Sequence, residues 1–182
     1  KTLHAAHTGK LSLVRVLSGE IADSSTLNGD RISGIFRLLG GKQDKQNKAA
    51  AGTLAGLGRM ENVTAGELLS PAGDVKASDW PVPLAPLYSL AIHAEQRSDE
   101  VKLTGALAKL VEEDPSLSFA PNSETGELLI WGLGEVHLQI AIDRLRNRNN
   151  LVVVSQRPQV PYKETIRKTV SQHARHKKQS GG

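Results

Sequence analysis

From Lys10 to Leu69 the apolar residues come in short runs separated by Gly, Asn, Asp and Ser. KLSLVRVLSGEI alternates and turns at Ser18-Gly19, DRISGIFRLL follows, and GTLAGLGRM comes before TAGELL. Period-two alternation broken by turn formers at such intervals predicts short antiparallel strands in a small β-barrel. GKQDKQNKAA, with almost no apolar residues, reads as a polar excursion within it. SPAGDVKASDWPVPLAP then brings four prolines and little apolar periodicity, so it reads as a linker with the domain boundary near Trp80 to Pro86.

The pattern changes after the prolines. LYSLAIHAE reads as a strand and SDEVKLTGALAKLVEEDP as a helix. Ser98 stands where a cap belongs, and Asp99 and Glu100 suit the positive end of the helix dipole. Leu103, Leu107, Leu110 and Val111 fall at i, i+4, i+7 and i+8, and Pro115 ends the run. SLSFAPNSETGELLIWG is a predicted hairpin turning near Glu124-Thr125-Gly126, followed by a helix from Leu133 and the strand LVVVSQ. The order β-α-β-β-α-β is the split motif of ferredoxin-like domains, whose sheet buries one face under both helices. The predicted fold is thus two domains: an all-β barrel over residues 1–80, a linker over 81–86, and an α+β ferredoxin-like domain over 87–160.

Composition narrows the chemistry. Two Trp, two Tyr and two Phe in 182 residues leave Val, Leu, Ile and Ala to build both cores. The absence of cysteine excludes a disulfide framework, a thiolate zinc site and a cysteine nucleophile, and suits a cytoplasmic protein. No apolar run approaches the ~20 residues of a membrane span, and no signal-peptide pattern opens the chain. The chain opens KTLHAAHTGK without Met and stops at KKQSGG, so both ends are expected to be cuts through a longer protein. Net charge is +4, yet Lys163 to Gly182 holds six Lys or Arg against one Glu, about +5, leaving −1 for the rest. A basic end of this kind favours polyanions, with ordinary solvated charge as the alternative.

The stretch WGLGEVHLQIAIDRLRNRNN concentrates the residues that could carry chemistry. On a helix, Leu138, Ala141, Ile142 and Leu145 form the core stripe, with His137, Arg144 and Arg148 along one flank. Glu135 and His137 are two residues apart and point ~200° away from each other, which defeats both an acid–base pair and a two-ligand metal site. Gly132 and Gly134 follow a strand, but a third glycine and a parallel βαβ unit are missing, so the glycines are expected to allow a tight turn rather than to cradle a dinucleotide. Val136 and Ile140 make an i, i+4 apolar pair away from the core stripe. This reads as a helix wedged against a neighbouring domain with its basic edge meeting a polyanion or acidic side chains, or else as solvated arginines beside an oily surface. His4 with His7, and His173 with His176, have a chelating spacing and no clear third ligand. Residues His173 to Lys178 suit phosphate contact better than metal.

These residues resemble the translational GTPases of the elongation factor G type. GLGEVHLQIAIDRLRNR looks like the glycine-x-glycine-glutamate-x-histidine-leucine helix of that family's third domain, and ALAKLVEEDPSLSFAPNSETGELLIWG resembles the segment before it. RPQVPYKETI is similar to the exit from that domain, and HARHKKQSGG to the opening of the fourth. HTGKLSLVRVLSGEI and AGTLAGLGRMENVTAGELL look like the second domain, a β-barrel. The resemblance implies a second domain, a third domain and, over residues 161–182, the start of a fourth. It implies that GTP and Mg²⁺ belong to a preceding GTPase domain, since no GxxxxGK[ST] loop occurs in these residues, and that no cofactor or small-molecule substrate is bound here.

The same resemblance implies as partners the ribosome, through small-subunit rRNA and proteins, and the GTPase domain of the same chain. The residues expected to touch RNA are Lys42, Lys45 and Lys48 of the polar excursion together with Arg175, His176, Lys177 and Lys178. Those expected to couple domains are Glu135, Val136, His137, Ile140, Arg144 and Arg148, none of them a catalyst. Thr53, Ala65 and Glu67 depart from the family's alanine-glycine-aspartate and threonine-glycine-aspartate patterns, and the connection from Ser24 to Arg31 is short. Both the main translocase and a divergent paralogue stay open. A ligand-sensing or dimerising ferredoxin-like module, away from the ribosome, is the alternative function. A standalone hydrolase lacks a nucleophile–base arrangement.

Overall fold

The structure, a computed structural model, describes residues 1–5, 9–73, 75 and 81–175. Among the described residues nine strands come first: β1 (Thr2–Ala5), β2 (Gly9–Arg15), β3 (Glu20–Ala22), β4 (Thr26–Leu27), β5 (Asp30–Arg31), β6 (Ile35–Leu39), β7 (Lys42–Gln46), β8 (Lys48–Ala50) and β9 (Leu54–Gly58). The second unit follows as β10 (Tyr88–Ala94), α1 (Glu100–Glu113), β11 (Ser118–Pro121), β12 (Leu128–Gly132), α2 (Glu135–Asn149) and β13 (Val153–Gln156). No helix among the described residues is long and apolar enough to cross a membrane.

In the first unit, β1-β2-β9-β6-β7 form one antiparallel sheet, flanked by the ribbons β3-β8 and β4-β5. Val16, Leu27, Ile32, Ile35, Leu57 and Met60 lie in its buried core, and each such side chain contributes roughly 1.5–3 kcal/mol by leaving water. The alternating runs are strands as predicted, but the sheet does not close. Barrel closure requires the two edge strands to pair, and among the described residues β1 and β7 do not. Instead β1 turns to α1, where the His4 N–H donates to Glu113 Oε1 at 2.8 Å.

Two further expectations fail for physical reasons. GKQDKQNKAA is not an excursion but β7 and β8, with Leu39↔Lys42 closing a two-residue turn in which Gly40 has φ +58°. β7 is exposed along four of its five residues at a sheet edge, so it has no buried face to impose alternation, and its lysines guard the edge against unwanted pairing. TAGELL is not a strand; Asn28 pins its end by donating from Nδ2 to the Leu68 carbonyl and accepting from the Ser70 N–H.

The second unit has the predicted β-α-β-β-α-β order, in an antiparallel sheet of order β11-β12-β10-β13. Leu103, Leu107 and Leu110 of α1 share one core with Leu138, Ile142 and Leu145 of α2 and with Ile92, Ile130 and Val153 of the sheet. Ser98 does not cap α1. It lies in a 3₁₀ turn, Arg97–Asp99, and the helix proper begins at Glu100, whose Oε1 accepts the Ala94 N–H at 3.0 Å. Asp114, which precedes Pro115, is extended at φ −137°, ψ 100°, the conformation a following proline imposes. α2 starts at Glu135 rather than Leu133 and ends where Asn150 turns left-handed, at φ +52°. The Leu151 N–H then reaches back to the Leu145 carbonyl at 3.3 Å.

Candidate interdomain coupling site

α1 ends in Glu112 and Glu113, Asp114 follows as its C-cap, and the last turn has no basic residue. Carboxylates there oppose the negative end of the helix dipole, so the terminus needs cations brought from elsewhere. Each carboxylate meets at least one basic side chain brought from another element. Glu112 Oε2 lies 3.0 Å from His4 Nε2 and 3.4 Å from Lys10 Nζ. These two side chains reach it together because His4 and Lys10 are cross-strand partners in the β1–β2 hairpin. Lys10 also donates to the Glu61 carbonyl at 2.7 Å. Partial burial would raise Glu112, but the His4 hydrogen bond and the Lys10 charge outweigh it and hold its carboxyl below the usual range.

Glu113 is buried, and its two oxygens accept from Arg148 Nη1 at 3.2 and 2.9 Å while Oε1 also takes the His4 N–H. Asp114 Oδ2 lies 3.2 Å from His137 Nε2. The other ring nitrogen of His137, Nδ1, accepts the Leu133 N–H at 3.1 Å. That leaves the proton of neutral His137 on Nε2, facing Asp114. The third residue of α2 thus reaches back over the helix start, as the acidic member of a capping box does.

The two glycines of this turn act differently from the expectation. Neither lies in the left-handed region of φ, and Gly134 is extended at φ 174°, ψ 178°. A Cβ on Gly132 would stand 2.6 Å from Leu138 Cδ2 and 3.0 Å from His137 Nδ1, so Gly132 is required for close packing of β12 on α2, not for a turn.

Of the expected coupling residues, His137 and Arg148 meet acidic side chains, those of α1. Val136 and Ile140 are 73% and 46% exposed, and with Leu133 they leave an uncovered apolar strip on α2. Glu135 is exposed and Arg144 half-buried at its edge. An open cleft of about 500 Å³ lies beside the joint, lined by His4, Ala106, Lys109, Glu113, Arg148 and Asn149 among others. His4, Lys10, Glu112, Glu113 and Asp114 were not among the expected site residues. The signal that could have found them is the acidic triplet ahead of Pro115, at the wrong end of a helix dipole.

The expected RNA-contact residues are more dispersed. Lys42 is exposed on β7; Lys45 is 3.8 Å from Asp23 and Lys48 is 3.1 Å from Glu20, all three facing solvent. Arg175 and His173 are exposed, and His176, Lys177, Lys178 and His7 lie outside the described residues. The basic end leaves the second unit along a tethered path. The Gln159 N–H donates to Glu127 Oε2 at 3.0 Å, Gln156 Nε2 to Glu127 Oε1 at 3.2 Å, and Lys163 Nζ lies 2.6 Å from Glu124 Oε1. The Gln159 N–H is the main reason that the Glu127 carboxyl is held below its usual range.

Residues 83–157 match the family description Elongation Factor G, domain III. Over 174 residues, 96% of the chain, the sequence is 52% identical to the Elongation factor G-like protein of Synechocystis sp. PCC 6803, covering 26% of that protein. The chain thus holds a domain of the elongation factor G family. A crystal structure of a Thermus thermophilus protein superposes with a TM-score of 0.72 at 30% identity, over 88% of this chain and 25% of that one. The chain spans about a quarter of the length of the relatives it matches. The domain III match holds both helices and all four strands of the second unit, and with them the acidic half of the joint. The basic half of the joint, His4 and Lys10, lies in the unit before it.

Proposed function

We propose that the chain is the second- and third-domain portion of an elongation factor G-like translational GTPase, a ribosome-contacting relay without a nucleotide site of its own. The domain III match over residues 83–157 carries this reading. In it, residues 1–80 are the second domain, a translation-factor barrel opened on the β1 side; 81–86 are the linker, and 87–160 are a ferredoxin-like third domain. Residues 161–182 lead into a fourth. GTP and Mg²⁺ act in the preceding GTPase domain of the parent protein, and the joint at the end of α1 transmits its state. Lys42, Lys45, Lys48 and the basic stretch from Arg175 to Lys178 contact small-subunit rRNA phosphates, which makes binding weaken with salt.

Co-sedimentation of the 182-residue chain with separated ribosomal subunits across a salt series tests this. Binding to the small subunit that falls with salt, and falls further in a Lys177→Glu/Lys178→Glu variant, is the expected result. Absence of binding by both this chain and its GTP-loaded parent would overturn the ribosomal reading and leave a ligand-sensing module.

A further inference from the structure

We propose that the acidic end of α1 is a releasable clasp: Glu112 and Glu113 hold the β1–β2 hairpin through polar bonds across a seam where, among the described residues, the two buried clusters share no member, so the units can change angle while both stay folded. Three observations carry this. The two buried clusters share no residue; one runs from Ile92 to Val153 and the other from Val16 to Val63. The bonds that bridge the units are polar: Glu112 with His4 and Lys10, and Glu113 with the His4 N–H. The seam is left open at the cleft beside His4, Glu113 and Arg148.

The parts have unequal roles. Glu113 is 7% exposed and stays fixed by Arg148 whether or not the hairpin is present, so it is a standing acceptor for the edge of β1. Glu112 is 46% exposed at its side chain and can exchange His4 and Lys10 for water; pairs of this kind are screened by salt. Releasing the hairpin exposes a carboxylate at the negative end of a helix dipole, which favours recapture of the Lys10 ammonium.

The proposal deepens the coupling part of the reading above and rests on it for its purpose, yet its test contains no ribosome, so either can fail alone. The chain has no cysteine, so Gly41→Cys and Ser123→Cys, in exposed turns of the two units, accept a dye pair. Single-molecule energy transfer in the 182-residue chain is expected to give one narrow population at low salt. Glu112→Lys/Glu113→Gln should replace it with a broad or second population, and salt at about 1 M should do the same to the parent sequence, with the circular dichroism unchanged. Glu112→Gln alone, at a half-exposed site that does not threaten folding, should broaden the peak partially. An unchanged distribution in all three cases, or one that changes only together with loss of helix signal, would overturn the clasp.

Discussion

Arg148 Nη1 stands 2.9 Å from Glu113 Oε2 and 3.2 Å from Oε1, so one guanidinium ties the last turn of α2 to the last turn of α1. The two residues differ in what they lose when separated. Glu113 is 7% exposed and Arg148 52%, so water can replace Glu113 for the arginine but not Arg148 for the carboxylate. Arg148→Ala should therefore destabilise the second unit by about 2–3 kcal/mol, because it strands a buried charge. Glu113→Gln in the same background should recover part of that loss. Urea unfolding followed by circular dichroism, run as a double-mutant cycle, measures both; strictly additive effects would mean that the pair does not act as a unit.

Glu112 supplies the acid dependence of the joint. Its folded carboxyl is held below the ordinary value of 4.5, burial being outweighed by His4 and Lys10. A depressed folded value means that its contribution is fully present above the unfolded value and is lost as pH falls through the folded one. The expected result is a decline in unfolding midpoint below about pH 4.5, with a smaller decline in Glu112→Gln. Parallel pH profiles for the two proteins would remove Glu112 from the acid response.

The helices were legible because burial writes itself into spacing: Leu138, Ala141, Ile142 and Leu145 are all buried, as the 3.6-residue period requires. Gly126 at φ +74° likewise sits in the predicted hairpin turn. β7 was illegible for the converse reason, since an edge strand solvated on both faces carries no apolar alternation to read. The joint was hidden because its partners are far apart in sequence; His4 and Glu112 are separated by 108 positions, and no local pattern links them. The basic flank of α2 was expected to meet a polyanion or the acidic side chains of a neighbouring domain, or to be solvated; His137 and Arg148 meet Asp114 and Glu113 of the same unit, which periodicity could not name.

Gly132 sets how closely β12 packs on α2. Any larger residue places its Cβ 2.6 Å from Leu138 Cδ2 and 3.0 Å from His137 Nδ1. Neither neighbour is free to retreat: Leu138 is fully buried, and His137 is held between the Leu133 N–H and Asp114. Gly132→Ala should then cost about 1–3 kcal/mol by overpacking, although alanine suits a strand better than glycine does. The cost should have two separable parts. Leu138→Val withdraws the nearer atom, so Gly132→Ala/Leu138→Val should be less destabilised than the sum of the single changes. His137→Ala removes the cap at the helix start while relieving the second contact, so its addition to Gly132→Ala should also fall short of additivity, by less. Chemical unfolding of the three single and two double variants decides the matter. If Gly132→Ala is neutral or stabilising, the strand and helix can separate without loss, and the glycine's place in this motif needs a reason other than packing.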